Sequence, residues 1–289
     1  HYNPAIAAYD TARIQADVST AAMNFDRSLH MLNGAFPLTG GAAVNFTLMN
    51  ANVNDIDGRT RSGYHTGMLS THEIQFKTYV GLRYTSWLMA GAGVGIQYAK
   101  LHEDVPSSTG AGFDVGILIH PMEELFIGLA VKDIIASYEW NTESLYGLDG
   151  SQTNSDPFPK RFKVGVSYTP LDQLLLSADF EVRKQQSQNY SYEVFSGSNP
   201  LALSRNQETY NTSSNQIRLG ARYHIVDELT LRVGYQIRDL DETAHSSSPS
   251  IGVSIHPPLD LGNPSVDYAF IREPGGVGNI HVFALRFEL

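Results

Sequence analysis

The chain alternates apolar and polar residues with a period of two over most of its length, a pattern typical of β-strands whose two faces meet different surroundings. In the clearest segment, 174–183, Leu174, Leu176 and Phe180 alternate with Ser177 and Asp179. No segment with helical periodicity competes with this pattern. Fourteen segments follow it, and they lie at 12–19, 27–36, 42–48, 73–84, 88–98, 113–120, 125–131, 161–168, 174–183, 217–223, 231–237, 251–255, 266–270 and 283–289. We therefore predict an all-β protein with an even number of strands.

The connections between these segments alternate between two classes. One class is short: Pro37–Gly40, Thr85–Trp87, His120–Glu124, Thr169–Gln173, His224–Glu228 and His256–Pro264. The other class is mostly long: Ala51–Thr71, Lys100–Ala111, Asp133–Phe158, Lys184–Ser214 and Arg238–Ser248, with short exceptions at 24–26 and 273–278. All long loops then lie on one rim, as in bacterial outer-membrane barrels. The sequence predicts a single-domain transmembrane antiparallel up-and-down β-barrel over residues 1–289, with both termini periplasmic and the long loops extracellular.

Alternation by itself also fits a soluble β-sandwich or propeller, because a sandwich buries one face of each sheet and leaves the other in water. The alternation of loop lengths and the strand count favour the barrel. The closing residues Phe287-Glu288-Leu289 favour it too, because a terminal aromatic strand resembles the signal that barrel assembly machinery reads. A membrane-spanning helix is not predicted, since the densest apolar run, Leu125–Val131, is far shorter than the roughly 20 residues required.

Composition excludes several functional classes. The 289 residues carry 20 Lys and Arg against 30 Asp and Glu, a net charge of −10 that argues against a nucleic-acid partner. The chain has no cysteine, which excludes disulfides and thiolate chemistry. It begins at His1 without a basic and apolar leader, and we interpret it as a mature or truncated chain whose targeting segment is absent.

In a membrane barrel the apolar residues face lipid and the residues between them face the lumen. The predicted lumenal set contains more cations than anions. Two interpretations remain open: the charges pair with one another and stiffen the wall, or they orient a polar permeant or a plug. The set comprises Arg13, Asp17, Glu73, Lys77, Arg83, Asp114, Lys132, Arg161, Lys163, Asp179, Glu181, Arg183, Arg218, Arg222, Arg232, Asp267, Arg286 and Glu288.

Glycine recurs on the same predicted lumenal face. It relieves curvature or leaves room for a neighbouring ring, or it provides a smooth wall against which an internal segment packs. Fourteen strands enclose more space than wall side chains fill, because about eight strands give a filled barrel. We therefore expect a segment of chain in the bore, and a plug upstream of His1 is the natural candidate. The glycines are Gly81, Gly91, Gly93, Gly95, Gly116, Gly128, Gly165, Gly220, Gly234 and Gly252.

No motif of nucleophilic, zinc or nucleotide chemistry is present. The run Gly91–Gly95 lies inside a predicted strand, with no helix after it. We predict a protein that is not an enzyme, that has no metal or cofactor, and that retains at most lipid or detergent.

Two long loops are rich in aromatic residues, which have two interpretations. They form the interface girdle of a barrel, which suits Tyr138 and Tyr210 best. Alternatively, they form a docking surface, because Tyr and Trp are favoured anchors of protein interfaces. The candidate docking residues are Tyr138, Trp140, Tyr146, Tyr190, Tyr192 and Phe195.

Several short motifs, spread from end to end of the chain, resemble the PorV/PorQ group of outer-membrane proteins, relatives of the FadL long-chain fatty-acid transporters. Tyr2-Asn3-Pro4-Ala5 is similar to the Asn-Pro-Ala motif that follows the N-terminal plug segment in that superfamily. The other motifs are Gly112–Gly116, Pro159–Tyr168, Leu219–Tyr223, Leu231–Tyr235, Asp267–Phe270 and the closing strand. The resemblance implies a fourteen-stranded barrel, and it implies that plug residues upstream of His1 are missing.

The resemblance also implies a function of the type IX secretion kind, in which the barrel serves as subunit, shuttle or anchor for secreted or surface proteins. Outer-membrane lipid would surround it, and protein partners would bind its extracellular loops. The charged bore favours this hypothesis over FadL-like transport, because a lipophilic permeant prefers an apolar path. The alternatives are a FadL-like transporter of hydrophobic small molecules and a passive pore.

Overall fold

The computed structural model describes residues 3–9, 13–141, 153–194, 203–239, 246–259 and 262–289. Within these ranges, fourteen strands form one closed antiparallel barrel, which the pairing of β1 with β16 completes. The predicted fourteen-stranded up-and-down barrel is confirmed. The wall strands are β1 (Gln15–Met23), β2 (Arg27–Pro37), β3 (Ala42–Arg59), β4 (His65–Arg83), β5 (Leu88–Lys100), β6 (Ser108–Met122), β7 (Leu125–Ile134), β10 (Lys160–Leu171), β11 (Leu174–Val194), β12 (Leu203–Val226), β13 (Leu229–Arg238), β14 (Ser246–Ile255), β15 (Ser265–Arg272) and β16 (Asn279–Glu288).

Three of the predicted long loops contain regular structure. The loop predicted at Ala51–Thr71 is mostly the paired ends of β3 and β4, with register from Ala51↔Glu73 to Arg59↔His65. The loop predicted at Lys184–Ser214 is largely a β11–β12 ribbon that pairs as far as Val194↔Leu203. The loop between β7 and β10 contains a separate hairpin, β8 (Ser137–Asn141) with β9 (Thr153–Pro157). The predictions were wrong because polar residues on both faces hide the alternation that identifies a strand.

The two faces of the wall have opposite character. Outward side chains from strands around the barrel are apolar and exposed. Five examples, with 49–57% of each residue exposed, are Val18, Ile96, Val164, Ile251 and Phe283. Inward side chains include charged groups that are almost fully buried, such as Lys77, Asp114 and Glu181. In the described part of the chain, no helix has the length and apolar composition needed to cross a membrane. The fold thus puts apolar surface outside and polar groups inside, the reverse of a soluble domain.

The apolar core of the molecule lies inside the barrel, away from the outer surface. It consists of Ala5 and Ala8 from a short 3-10 turn, Pro4–Ala8, packed on Met89 of β5 and Leu118 of β6. Phe126 of β7 packs against this cluster. The N-terminal turn therefore occupies the lumen on the side of β4 to β7.

The β11–β12 ribbon is expected to be dispensable for folding. Pairing to β10 ends at Lys184, and pairing to β13 ends at Gln216, so the ribbon beyond these residues pairs only with itself. Replacing Asn189–Glu208 with a two-residue Asn-Gly turn should leave a folded barrel. The measurement is the migration of unheated and heated protein in a detergent gel. A matched replacement of Glu181–Gln216, which cuts into the wall, should abolish the folded band, and equal loss in both variants would contradict this assignment.

Candidate functional site

The N-terminal turn is fixed to the wall by Asn3. Its side-chain amide donates to the carbonyl oxygens of Ile117 at 2.9 Å and Leu129 at 3.2 Å, which are opposite residues of β6 and β7. The side-chain oxygen of Asn3 accepts a bond from the Ala5 amide at 2.9 Å and caps the 3-10 turn. Pro4 follows at the start of the turn, where its missing N–H is not needed. One amide thus joins two wall strands to the plugging segment.

Glycines make this close approach feasible. A side chain on Gly81, Gly91 or Gly116 would collide with atoms of Asn3 to Ala8, and one on Gly128 would press on the Asn3 amide. These four positions lie on β4, β5, β6 and β7, so the turn rests in a cradle of bare backbone. Part of the predicted lumenal glycine set therefore packs against an internal segment. The segment is residues 3–9 of this chain, in the bore position predicted for a plug upstream of His1.

The far end of the turn has its own anchors. Arg83 donates from Nη2 to the carbonyl oxygens of Ala8 at 3.2 Å and Tyr9 at 2.5 Å. The Tyr9 ring meets Phe126 edge-on at 5.2 Å, and Phe126 stacks on His120 at 4.0 Å. The lumenal residue Arg83 therefore holds the plug, which is one of the two roles left open by the sequence.

A cavity of about 370 Å³ lies between the turn and the adjoining wall strands β6 to β12. Ile6, Leu118 and Phe126 give it an apolar side, and Gly128, Gly165 and Gly220 leave bare backbone around it. Its polar rim is formed by Lys163, Ser167, Ser177, Asp179 and Arg218. Such a cavity, largely apolar with a few convergent polar groups, is the form that small-molecule sites commonly take.

Charged residues next to the turn form a buried network. Lys77 donates to Asp114 at 3.0 Å and to Asp133 at 2.8 Å, and Tyr79 donates to Asp114 at 3.0 Å. Lys132 lies 3.6 Å from Asp114, and its ammonium is 5.8 Å from the centre of the Tyr79 ring. Lys77 and Tyr79 reach β6 across β5, because Gly93 and Gly95 leave no side chain in their way.

Asp133 is the member of this network that sequence reasoning missed. It was predicted to begin a loop, but a bulge in β7 changes the register between Phe113↔Ile134 and Val115↔Val131. The Asp133 backbone has a positive φ of 57°, and its amide donates to Asp114 at 2.7 Å. The bulge turns the Asp133 side chain inward, where it accepts from Arg161 at 2.6 Å. A two-residue alternation pattern gives no signal for such a reversal.

A second network surrounds Glu181, which is fully buried. Lys163 lies 3.0 Å from it, Arg183 donates to it at 2.6 Å, and Arg218 donates to it at 3.0 Å. Arg218 also donates to Asp179 at 2.8 Å. The structure thus pairs these predicted lumenal charges with one another, and it places Lys163, Asp179 and Arg218 at the cavity rim.

The remaining predicted lumenal charges lie elsewhere on the inner wall. Arg13 pairs with Glu288 at 3.2 Å and is largely exposed. Asp17 accepts from Asn33 at 2.8 Å. Asp267 pairs with Arg232 at 3.2 Å and lies 3.7 Å from Arg286. Arg222 lies directly across the β12–β13 pair from Arg232.

The candidate docking aromatics are not gathered into one described surface. Tyr138 is buried, with its ring 4.7 Å from Phe158 and 5.5 Å from Trp140. Burial raises the pKa of the Tyr138 phenol to about 12, so it stays neutral at ordinary pH. Tyr190 and Tyr192 belong to the β11 ribbon. Tyr146 and Phe195 lie outside the described residues.

The β8–β9 hairpin packs against the inner face of β6. Gly112 faces Ala136, Gly110 faces the Ser137 carbonyl, and the Glu139 amide donates to Ser108 at 3.0 Å. Within the described ranges, no group of three or more His, Asp or Glu side chains could hold a metal ion. The site is therefore a cavity between the N-terminal turn and a charged part of the wall.

No protein-family model matches this chain, and no curated protein does so either. Solved structures share its fold. The Pseudomonas putida toluene transporter TodX has a TM-score of 0.64 and 11% identity, over 99% of this chain and 92% of that chain. The CymD monoaromatic hydrocarbon channel has a TM-score of 0.64 and 11% identity, over 99% of this chain and 91% of that chain. A Pseudomonas aeruginosa FadL homologue has a TM-score of 0.64 and 14% identity, over 99% of this chain and 92% of that chain. At these identities the likeness shows a common fold.

The glycine cradle predicts how the turn can be displaced. Gly91→Leu should expel residues 3–9 from the wall, because the added side chain overlaps the Pro4 carbonyl. Ala5→Cys is a suitable reporter, since Ala5 is fully buried and the chain has no other cysteine. Maleimide should label this cysteine slowly in the parent and many-fold faster with Gly91→Leu. Gly165→Leu is the control, as no atom lies within 3.4 Å of its built Cβ; equal labelling in both variants would contradict the cradle.

The Lys77 network predicts a large loss of stability on removal of its central cation. Lys77→Met leaves Asp114 and Asp133 buried with fewer partners, and this should lower the free energy of unfolding by roughly 3–5 kcal/mol. Arg13→Met is the matched control, because its ion pair is exposed and should contribute about 1 kcal/mol or less. Urea unfolding in phosphatidylcholine vesicles measures both. Losses of equal size would refute the structural role given to Lys77.

Proposed function

We propose that this chain is a bacterial outer-membrane barrel that passes small hydrophobic molecules through its lumen. The observation that carries the proposal is the cavity of about 370 Å³ beside the N-terminal turn, with Ile6, Leu118 and Phe126 on its apolar side. The fold shared with TodX, CymD and the FadL homologue supports it, because the first two are described as a toluene transporter and a monoaromatic hydrocarbon channel.

The outer surface supports a membrane location. Closure of the sheet pairs the backbone of every wall strand on both sides, as a hydrocarbon environment requires. Exposed apolar side chains surround the wall on all sides, far beyond the isolated patches of a soluble monomer. We place the termini on the periplasmic side and the β3–β4 and β11–β12 ribbons outside the cell, on the analogy of barrels with short periplasmic turns.

The charged bore does not oppose passage of an apolar molecule. Lys77, Asp114 and Asp133 bind one another, and Glu181 binds Lys163 and Arg218. Paired charges present a weaker field than isolated ones, and the glycine surfaces of β7, β10 and β12 lie between them. Because its charges are paired, the lumen disfavours an apolar molecule less than isolated charges would.

Asn3 and Ile6 belong to both the turn and the cavity lining. The cavity therefore exists only while the turn is seated, and any movement of the turn changes its size. Transport through the lumen would then depend on how firmly Asn3 holds β6 and β7.

The secretion-subunit hypothesis remains a prediction without support from the fold comparisons. Of its candidate docking residues, Tyr138 is buried in ring contacts within the structure. The docking and transport hypotheses differ in what accompanies the native protein. Extraction in mild detergent followed by mass spectrometry should find a barrel without stoichiometric protein partners. A partner lost on shortening the β11–β12 ribbon would instead support docking.

Filling the cavity should reduce transport. Gly165→Phe places a ring in the cavity where the nearest atom to a built Cβ is 3.5 Å away, so the barrel should still fold. Entry of radiolabelled toluene into cells with a lipopolysaccharide outer membrane should fall several-fold. Val80→Phe, on the outward face of β4 and away from the cavity, is the control and should transport like the parent. Unchanged entry with Gly165→Phe, at equal amounts of folded protein, would overturn the proposed route.

A further inference from the structure

Two arginines face each other at the turn end of β12 and β13. Arg222 and Arg232 are direct cross-strand partners on the inner face. Like charges in this arrangement destabilise a sheet unless something neutralises them. Arg286 lies on the same side of the lumen, where it lines a second cavity together with Arg232 and Asp267. The wall therefore concentrates guanidinium groups at one end.

The carboxylates nearby neutralise only part of this charge. Asp267 pairs with Arg232 at 3.2 Å and lies 3.7 Å from Arg286, and Asp17 is the cross-strand partner of Arg286. Glu288 is occupied by Arg13. Among the described residues Arg222 has neither an ion pair nor a hydrogen bond, and its Nε atom is shielded from solvent. A guanidinium desolvated in this way, without an acceptor, is unfavourable by itself.

Other unpartnered polar atoms collect at the same end. Four of the seven buried side-chain atoms without a hydrogen bond in the described ranges are there: Arg222 Nε, Ser254 Oγ, His256 Nδ1 and Ser265 Oγ. Ser254 is the cross-strand partner of Asp267, and Ser265 is the cross-strand partner of Arg286. Buried polar groups are normally hydrogen-bonded, so these four atoms are available to a ligand.

The surroundings leave room for such a ligand. Three of the residues next to the two arginines on the inner face are glycines, Gly220, Gly234 and Gly252, and the others include His224 and Thr230. The 370 Å³ cavity reaches Gly220 on one side, and a cavity of about 350 Å³ reaches Arg232, Gly234 and Gly252 on the other. Arg222 itself lines neither cavity, but its neighbour Gly220 borders the first and its cross-strand partner Arg232 borders the second.

We propose that Arg222, with Arg232, Arg286 and the Ser254 and Ser265 hydroxyls, forms an oxyanion-binding site at the turn end of the lumen. Guanidinium and hydroxyl donors suit the oxygens of a carboxylate or a phosphate. Binding would remove the repulsion between Arg222 and Arg232 and satisfy the orphaned donors. The site uses β12 to β16, whereas the N-terminal turn rests on β4 to β7, so it does not depend on the transport role proposed above.

The test is calorimetric titration of the full chain in neutral detergent with two separate probes, inorganic phosphate and benzoate. We expect saturable binding of at least one probe, weakened tenfold or more by Arg222→Gln and partly kept by Arg222→Lys. Arg59→Gln, which removes an equal charge from the exposed β3–β4 ribbon, should bind like the parent. Binding of neither probe by the parent, or equal binding by Arg222→Gln, would overturn the site.

Thermal unfolding distinguishes a binding arginine from a structural one. Without added anion, Arg222→Gln should unfold at the same temperature as the parent or higher, because it relieves repulsion. Phosphate or benzoate should raise the unfolding temperature of the parent but not of this variant. A variant that is destabilised without anion and gains equally from it would contradict the proposal.

The two probes also separate the sources of the anion. Binding of phosphate alone indicates a free ion or a phosphorylated molecule, and binding of benzoate indicates an organic acid. Toluene entry keeps the result independent of the transport proposal. Failure of both probes with normal toluene entry would refute only the oxyanion site, whereas Arg222-dependent binding without toluene entry would refute only hydrophobic transport.

Discussion

Closing fourteen strands into a barrel satisfies the backbone of the wall, but it encloses a bore that wall side chains cannot fill. Other parts of the structure fill much of this bore. On one side the N-terminal turn packs onto bare backbone at Gly81, Gly91 and Gly116, and the β8–β9 hairpin packs at Gly110 and Gly112. Next to the turn and on β10 to β12, long charged side chains pair with one another. The buried apolar core is small because it only has to hold the turn in place.

The charged networks follow from the same constraint. A lysine or arginine projecting from the wall is long enough to cross a neighbouring strand, as Lys77 does over Gly95 to reach Asp114. Each such crossing ties together strands that share no backbone hydrogen bonds. Because the groups of the Lys77 network have left water, its cations need anions, and the Asp133 bulge supplies one that a regular strand would point outward. These ion pairs therefore stabilise the wall, and some of the paired side chains also line the cavity.

Much of the barrel could be predicted from alternation, because the period of two survives wherever one face is apolar. The strand count, the closed antiparallel topology and the lumenal positions of Lys77, Asp114 and Glu181 all follow from it. Alternation is lost in the β3–β4 and β11–β12 ribbons, where polar residues occupy both alternating sets of positions, and these strands were predicted as loops. It is also lost at the bulge that turns Asp133 inward. The seating of Asn3 on β6 and β7 is a long-range contact, and no local pattern predicts it.

The N-terminal turn lies against β4 to β7 and the β8–β9 hairpin lies against β6, so both inward-folded segments occupy the same side of the interior. The two cavities lie against β6 to β12 and against β13 to β16 with β1 and β2, so most of the strands around them are ones that the turn does not contact. The two parts of the wall then differ in what their inward side chains contact. Substitutions inside β4 to β6 act mainly on the fit of the chain to itself. Inward-facing substitutions on β10 to β16 act on whatever occupies the two cavities. Among natural variants of this barrel, we therefore expect the inward-facing substitutions to differ between these two groups of strands at every depth along the barrel axis.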